Sequence, residues 1–179
     1  SSTTKTYTAD RFIAYRAATG LTVTRQSSGL SGFTYCARVQ RDSGNTSTTA
    51  IFFGQDVAID TAMPYIGQTV TVSFWARAGA NYSSSGSTLP ISLASGTNTS
   101  DQDGLISGYT GATTVLGATP TLTTSWQKFS YTGTIASTAT QFYFSVNGFT
   151  PTGTAGANDY FEITGIQLEL GSSATPFAR

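Results

Sequence analysis

The sequence predicts an all-β protein, an antiparallel β-sandwich of the jelly-roll kind with roughly nine or ten strands. Three observations predict it. Apolar and polar residues alternate with a period of two in run after run, while no segment carries a helical period of any length. Turn residues separate these runs at short intervals. Only 10% of the 179 residues are charged, against ~25% in an average domain. Thr, Ser, Gly and Asn take their place, and these suit strands and turns and are poor helix formers. At 39% hydrophobic and 12% aromatic residues, the chain has enough apolar surface for one sizeable core and is not disordered.

The elements follow in order. Residues 1–6 read as a polar lead-in with little structure, and residues 7–179 as the domain. Tyr7–Tyr15 is expected to turn at Ala9–Asp10 and continue as a strand. Leu21–Gln26 alternates. Phe33–Asp42 alternates too, with Phe33, Tyr35, Ala37 and Val39 on one face and Cys36, Arg38 and Gln40 on the other. Thr48–Ile59 reads as a long strand with a bulge or bend at Gly54. Gly67–Gly79 is the clearest strand: Val70, Val72, Phe74 and Ala76 point one way, Thr71, Ser73, Trp75 and Arg77 the other.

Leu89–Ser95 is a short strand whose Pro90 points to an edge or a first-residue position. Gly96–Pro120 is a long polar stretch with one or two short strands. In Thr121–Ile135, Gln127, Phe129 and Tyr131 lie opposite Trp126, Lys128 and Ser130. In Gln141–Asn147, Phe142, Phe144 and Val146 point inward and Tyr143, Ser145 and Asn147 outward. Asp159–Leu170 changes phase at Thr164–Gly165, where a bulge lets Ile166, Leu168 and Leu170 continue the apolar face begun by Phe161 and Ile163. This last apolar strand is expected beside an early one, and Phe177 is expected to pack back on the sheet.

Composition removes several function classes. Nine basic residues balance nine acidic ones without a basic run, which excludes a phosphate-backbone binder. No apolar run approaches the ~20 residues of a membrane-spanning helix. A single cysteine, Cys36, cannot form an internal disulfide and reads as a small strand residue. Without histidine, Ser–His–Asp and Cys–His mechanisms are absent.

A strand facing bulk water rarely needs a tryptophan. Trp75 and Arg77, with Tyr143 and Asn147 on a second strand and Arg38 and Gln40 on a third, would form one polar, aromatic-studded surface if their strands share a sheet. Aromatic rings against sugar C–H faces and planar polar groups against hydroxyls make such a surface fit for carbohydrate. The same residue types fit a protein interface. Asp101 and Asp103 have the spacing of two ligands in a calcium loop, without its remaining ligands. Asp159 and Glu162 offer a carboxylate pair at the start of the last strand, the kind of pair glycoside hydrolysis asks for; no enzyme is expected from it.

The runs GQTVTVSFWARAGANYS, LTTSWQKFSYTGTI and TAGANDYFEITGIQLELGSSATPF, with the early TYTADRF, resemble modules near the C-terminus of bacteriophage tail-fibre and tail proteins. Those modules are similar to the jelly-roll carbohydrate-binding domains of secreted glycosidases. The resemblance covers nearly the whole chain in the right order; Phe12 stands where the family more often has Trp.

The resemblance implies a non-enzymatic virion surface module, extracellular and homotrimeric, that contacts a bacterial surface glycan. Two alternatives stay open. One is a structural assembly module of the virion whose outward aromatics are buried between chains. The other is a secreted binding module appended to a glycosidase. Residues 1–6 would then be a linker or fibre remnant. The resemblance also implies a missing N-terminal strand, with one sheet edge left to a neighbouring chain. It allows a structural calcium ion between terminal strands, for which Asp10 and Glu169 are the candidates by position.

Overall fold

A computed structural model describes residues 4–7, 12–16 and 20–178. Eleven strands form two antiparallel sheets among these residues, a jelly-roll sandwich with one strand more than the alternation suggests. In chain order the strands are β1 (Thr4–Tyr7), β2 (Ile13–Arg16), β3 (Leu21–Leu30), β4 (Phe33–Arg41), β5 (Ile51–Val57), β6 (Thr69–Ala78), β7 (Ile91–Gly96), β8 (Thr113–Ala118), β9 (Gln127–Thr134), β10 (Gln141–Phe149) and β11 (Tyr160–Leu170). The six-stranded sheet runs β1-β2-β5-β10-β7-β8 and the five-stranded sheet β3-β4-β11-β6-β9. The last strand lies beside the early β4, as expected.

The core sits between the sheets, where the inward sets meet. Val70, Val72, Phe74 and Ala76 of β6 are fully buried, as are Phe142 and Val146 of β10 and Phe161 and Ile163 of β11. The Phe74 ring lies 5.9 Å from that of Phe144 across the sandwich and 5.6 Å from that of Phe129 on the neighbouring strand. Each such buried aromatic contributes about 1.5–3 kcal/mol.

The bulge in β11 forms where the apolar phase changes. Pairing with β6 shifts between Thr164 and Gln167, and Gly165 there has φ +60°. A Cβ at Gly165 would meet the Phe33 ring at 2.6 Å, so the glycine also makes room for the β3–β4 hairpin tip. Phe177 packs against Phe33 with ring centroids 5.0 Å apart, bringing the C-terminal tail back onto the sheet.

Two expectations are corrected and two others are resolved. Thr4–Thr6 of the expected lead-in are not unstructured: with Tyr7 they form strand β1, paired with β2. Gly54 makes no bulge: Val57 to Phe53 pair without interruption with Phe142 to Val146. A Cβ at Gly54 would come 2.4 Å from the Phe144 carbonyl oxygen, so close backbone approach is what selects glycine there. Of the two positions Pro90 points to, the edge is excluded, because β7 lies between β10 and β8; Pro90 stands at the strand's start, directly before Ile91. The stretch after Gly96 holds one short strand, β8, as expected, and in addition one helical turn, α1 (Gly104–Ser107).

At one end of the sandwich, Arg41 (1% exposed) fastens three loops together. Its Nη1 donates to Asp159 Oδ2 at 2.8 Å and to Ser83 Oγ at 2.9 Å. Its Nη2 donates to the carbonyls of Asn45, Ser47 and Gly153. Asp159 is equally buried and also accepts from the Ser83 backbone N–H.

Candidate functional site

The outer face of the five-stranded sheet carries an unusual set of side chains. Register places Thr24, Arg38, Glu162 and Arg77 side by side across β3, β4, β11 and β6. In the next row, Gln26 pairs with Cys36 on β3 and β4, and Thr164, Trp75 and Lys128 follow across β11, β6 and β9. Gln40 faces Tyr160 one row the other way, where its amide donates to the Ala157 carbonyl at 3.0 Å. Strand alternation alone puts these residues on the face that turns away from the core.

Glu162 is the pivot. It is 0% exposed and accepts Arg38 Nε (2.9 Å) and Nη2 (2.6 Å) on Oε1, and Arg77 Nε (2.5 Å) on Oε2. Each guanidinium is also stacked. Arg38 lies 3.9 Å from the centroid of the Tyr160 ring and Arg77 4.8 Å from that of Trp126. Cation–π contact of this kind adds about 0.5–2 kcal/mol and holds the planar groups in place. Trp126 is itself tied down, its indole N–H donating to the Ser28 carbonyl at 2.9 Å. Trp75, Trp126 and Tyr160 are all half-buried, so each ring offers part of its surface outward.

Cys36 lies beneath this cluster, 4% exposed. Burial and then the Glu162 carboxylate push its thiol up to about 11, against the opposing pull of Arg77 and Arg38. It is an inert thiol at neutral pH.

The sequence-predicted surface divides between the two sheets. Trp75, Arg77, Arg38 and Gln40 do share one face. Tyr143 and Asn147 lie on β10, on the opposite side of the sandwich, and are not part of it. Tyr143 is partly covered by the loop after β7. There Asp56 Oδ1 accepts from the backbone N–H groups of Gly104 and Leu105 and from the Tyr109 hydroxyl, and the Tyr109 ring lies 5.6 Å from that of Tyr143. Burial raises the Asp56 carboxyl, partly offset by the Tyr109 hydrogen bond.

The carboxylates proposed for calcium have other partners. Asp103 caps α1, accepting the Ile106 N–H at 3.2 Å, and Asp101 accepts the Ile59 N–H at 2.9 Å. Glu169 is half-buried and accepts from Thr175 in the C-terminal tail. Asp10 lies outside the described residues. Among the described residues no three His, Cys, Asp or Glu side chains gather as a metal site. Asp159 and Glu162 do not form a catalytic pair, since each is buried in its own ion pairs with arginine.

Sequence reading missed Trp126, Tyr160 and Lys128 as members of the face. Their positions in the alternation did carry the signal: Trp126 and Lys128 stand opposite the inward Gln127, Phe129 and Tyr131.

No family model matches the sequence, and no curated protein matches it. Solved structures do. A CBM4 structure is 20% identical, with TM-score 0.55 over 91% of this chain and 90% of that one. A xylan-binding domain from CBM 22 is 16% identical, with TM-score 0.57 over 94% of this chain and 92% of that one. The enzymatically active part of tailspike protein 4 from bacteriophage CBA120 is 13% identical, with TM-score 0.59 over 92% of this chain but 20% of that one. At these identities the likeness is one of fold: the chain has the jelly-roll sandwich of carbohydrate-binding modules.

Proposed function

We propose that the protein is a non-catalytic carbohydrate-binding module and that it binds glycan on the outer face of its five-stranded sheet. The observation that carries this reading is the set of partly exposed rings, Trp75, Trp126 and Tyr160, arranged around two guanidiniums that Glu162 holds in fixed positions. Rings supply platforms for the C–H faces of a pyranose, and the guanidiniums and the Gln40 amide supply donors for its oxygens. The xylan-binding neighbour of the same fold supports the reading.

Two settings are open to such a module, both extracellular. A module appended to a polysaccharide-degrading enzyme is supported by a neighbour that joins CBM22-1 to GH10 modules in a xylanase. A receptor-binding module on a phage fibre, homotrimeric and directed at bacterial surface glycan, is supported by the tailspike neighbour. Solution mass by light scattering separates them: three chains for the fibre setting, one for the appended module.

The binding reading is tested with Trp75→Ala against a panel of plant and bacterial polysaccharides by affinity electrophoresis and calorimetry. The wild type is expected to bind at least one, and the variant to lose that binding while keeping its fold by circular dichroism. Absence of any saturable signal at millimolar sugar overturns the proposal.

A further inference from the structure

We infer that the glycan taken by this face is anionic, a polysaccharide that carries carboxylate groups; the inference rests on the binding reading above. The argument is one of unspent donors. Glu162 engages Arg77 through Nε alone, so both terminal nitrogens of Arg77 lack a protein acceptor among the described residues. Arg38 spends Nε and Nη2 on the same carboxylate and leaves Nη1 without one. The two side chains are 28% and 24% exposed, so these donors reach solvent rather than an unpaired interior.

Lys128, exposed and paired in register with Trp75, adds a further cation to this face, balanced by Glu169 farther along β11. Two guanidiniums thus share one carboxylate, and that carboxylate is wholly buried beneath them. The chain as a whole has zero net charge, so this local excess is a matter of placement. Asp56, Asp101 and Asp103 gather instead around the loop that covers the other sheet.

The geometry favours a carboxylate over a hydroxyl. A guanidinium held by its Nε presents its two terminal nitrogens as a fork, the arrangement that meets two oxygens of one planar anion. Trp126 behind Arg77 holds its fork in place, and Tyr160 behind Arg38 does the same for the one free nitrogen there. A neutral sugar would use the rings but leave the positive field unanswered. A uronate-bearing chain uses both, with a ring against Trp75 or Trp126 and its carboxylate on the Arg77 fork.

The experiment compares polygalacturonate and alginate with the same polymers after carboxyl reduction, alongside neutral xylan and β-glucan and a DNA duplex as a non-glycan polyanion. The parent acidic polymers are expected to bind at least about tenfold more tightly than their reduced forms, a difference of ~1.4 kcal/mol. That preference should shrink as salt rises from about 20 to about 300 mM. Arg77→Gln should abolish the preference. Arg77→Lys, which keeps the charge but not the fork, should weaken it and keeps the test valid should the glutamine variant fail to fold.

Equal binding of parent and reduced polymers, or a preference unmoved by Arg77→Lys and Arg77→Gln, overturns the inference and leaves the glycan reading standing. Equal binding to DNA overturns it as mere polyanion attraction. No binding to any polysaccharide overturns both.

Discussion

Replacing Glu162 by Gln tests whether one buried carboxylate organises the face. The amide is nearly isosteric but has one oxygen where the carboxylate has two. If that oxygen stays on Arg38, which makes two hydrogen bonds, the amide NH2 faces the Arg77 Nε–H that now lies 2.5 Å from Oε2. Donor then meets donor, and Arg77 must swing away. One charge-assisted hydrogen bond is lost, about 1.5–3 kcal/mol, and two become bonds to a neutral acceptor of roughly half the strength. Against this, both guanidiniums are about a quarter exposed and regain water. The cost therefore falls below the ~3–5 kcal/mol of breaking a fully buried pair.

We expect the Glu162→Gln variant to lose about 2–3 kcal/mol, which at ~2–4 °C per kcal/mol for a chain of this size lowers Tm by roughly 4–12 °C. Urea unfolding followed by tryptophan fluorescence reads this directly, since Trp126 stacks on one of the guanidiniums concerned. A loss under about 0.5 kcal/mol would refute the reasoning, because the cluster would then behave as an exposed surface ion pair.

Three further outcomes are expected. Asp159→Asn should cost more than Glu162→Gln, about 3–5 kcal/mol, because neither Asp159 nor Arg41 has water to fall back on; the shift in urea midpoint measures it. The Cys36 thiol should resist labelling by a thiol reagent in the native protein at about pH 8 and become reactive only as pH approaches 11. Its folded value lies above the 9.0 of an unperturbed thiol, so its contribution to stability is complete below about pH 9 and is lost as pH rises through about 11, which unfolding measured across that range will show.

Much of the fold was legible because burial acts on alternate residues. The inward sets of β6, β10 and β11 could be read directly, and so could the Gly165 bulge, since a phase change of the apolar pattern within one strand needs an inserted residue. Allocation of strands to sheets was not legible. Nothing in the outward pattern of β10 says that its neighbours are β5 and β7 rather than β4 or β6, and so the alternation alone sets Tyr143 and Asn147 beside Trp75. Partners distant in the chain were equally hidden. Trp126 donates to a carbonyl 98 residues away, and Glu162 meets arginines from two other strands. Their pairing depends on register between strands, which local composition does not encode. Gly54 shows the converse: a glycine in a strand signals either a bulge or a close approach, and only the packing of β10 decides between them.

The placement of β11 has a consequence for how the protein is made. It is the last strand of the module in chain order, yet it is the middle strand of its sheet, between β4 and β6. During synthesis from the N-terminus, β3–β4 and β6 emerge with no ladder to join them until β11 leaves the ribosome. Arg38 and Arg77 wait on separate strands for the carboxylate that will hold them both. Until then the two unfinished edges and the apolar face of β6 are open to pairing with other chains. The step that completes the sheet also assembles the charged face, so a nascent chain halted before Glu162 has neither. A truncation there would leave an aggregation-prone half-sandwich rather than a smaller working module.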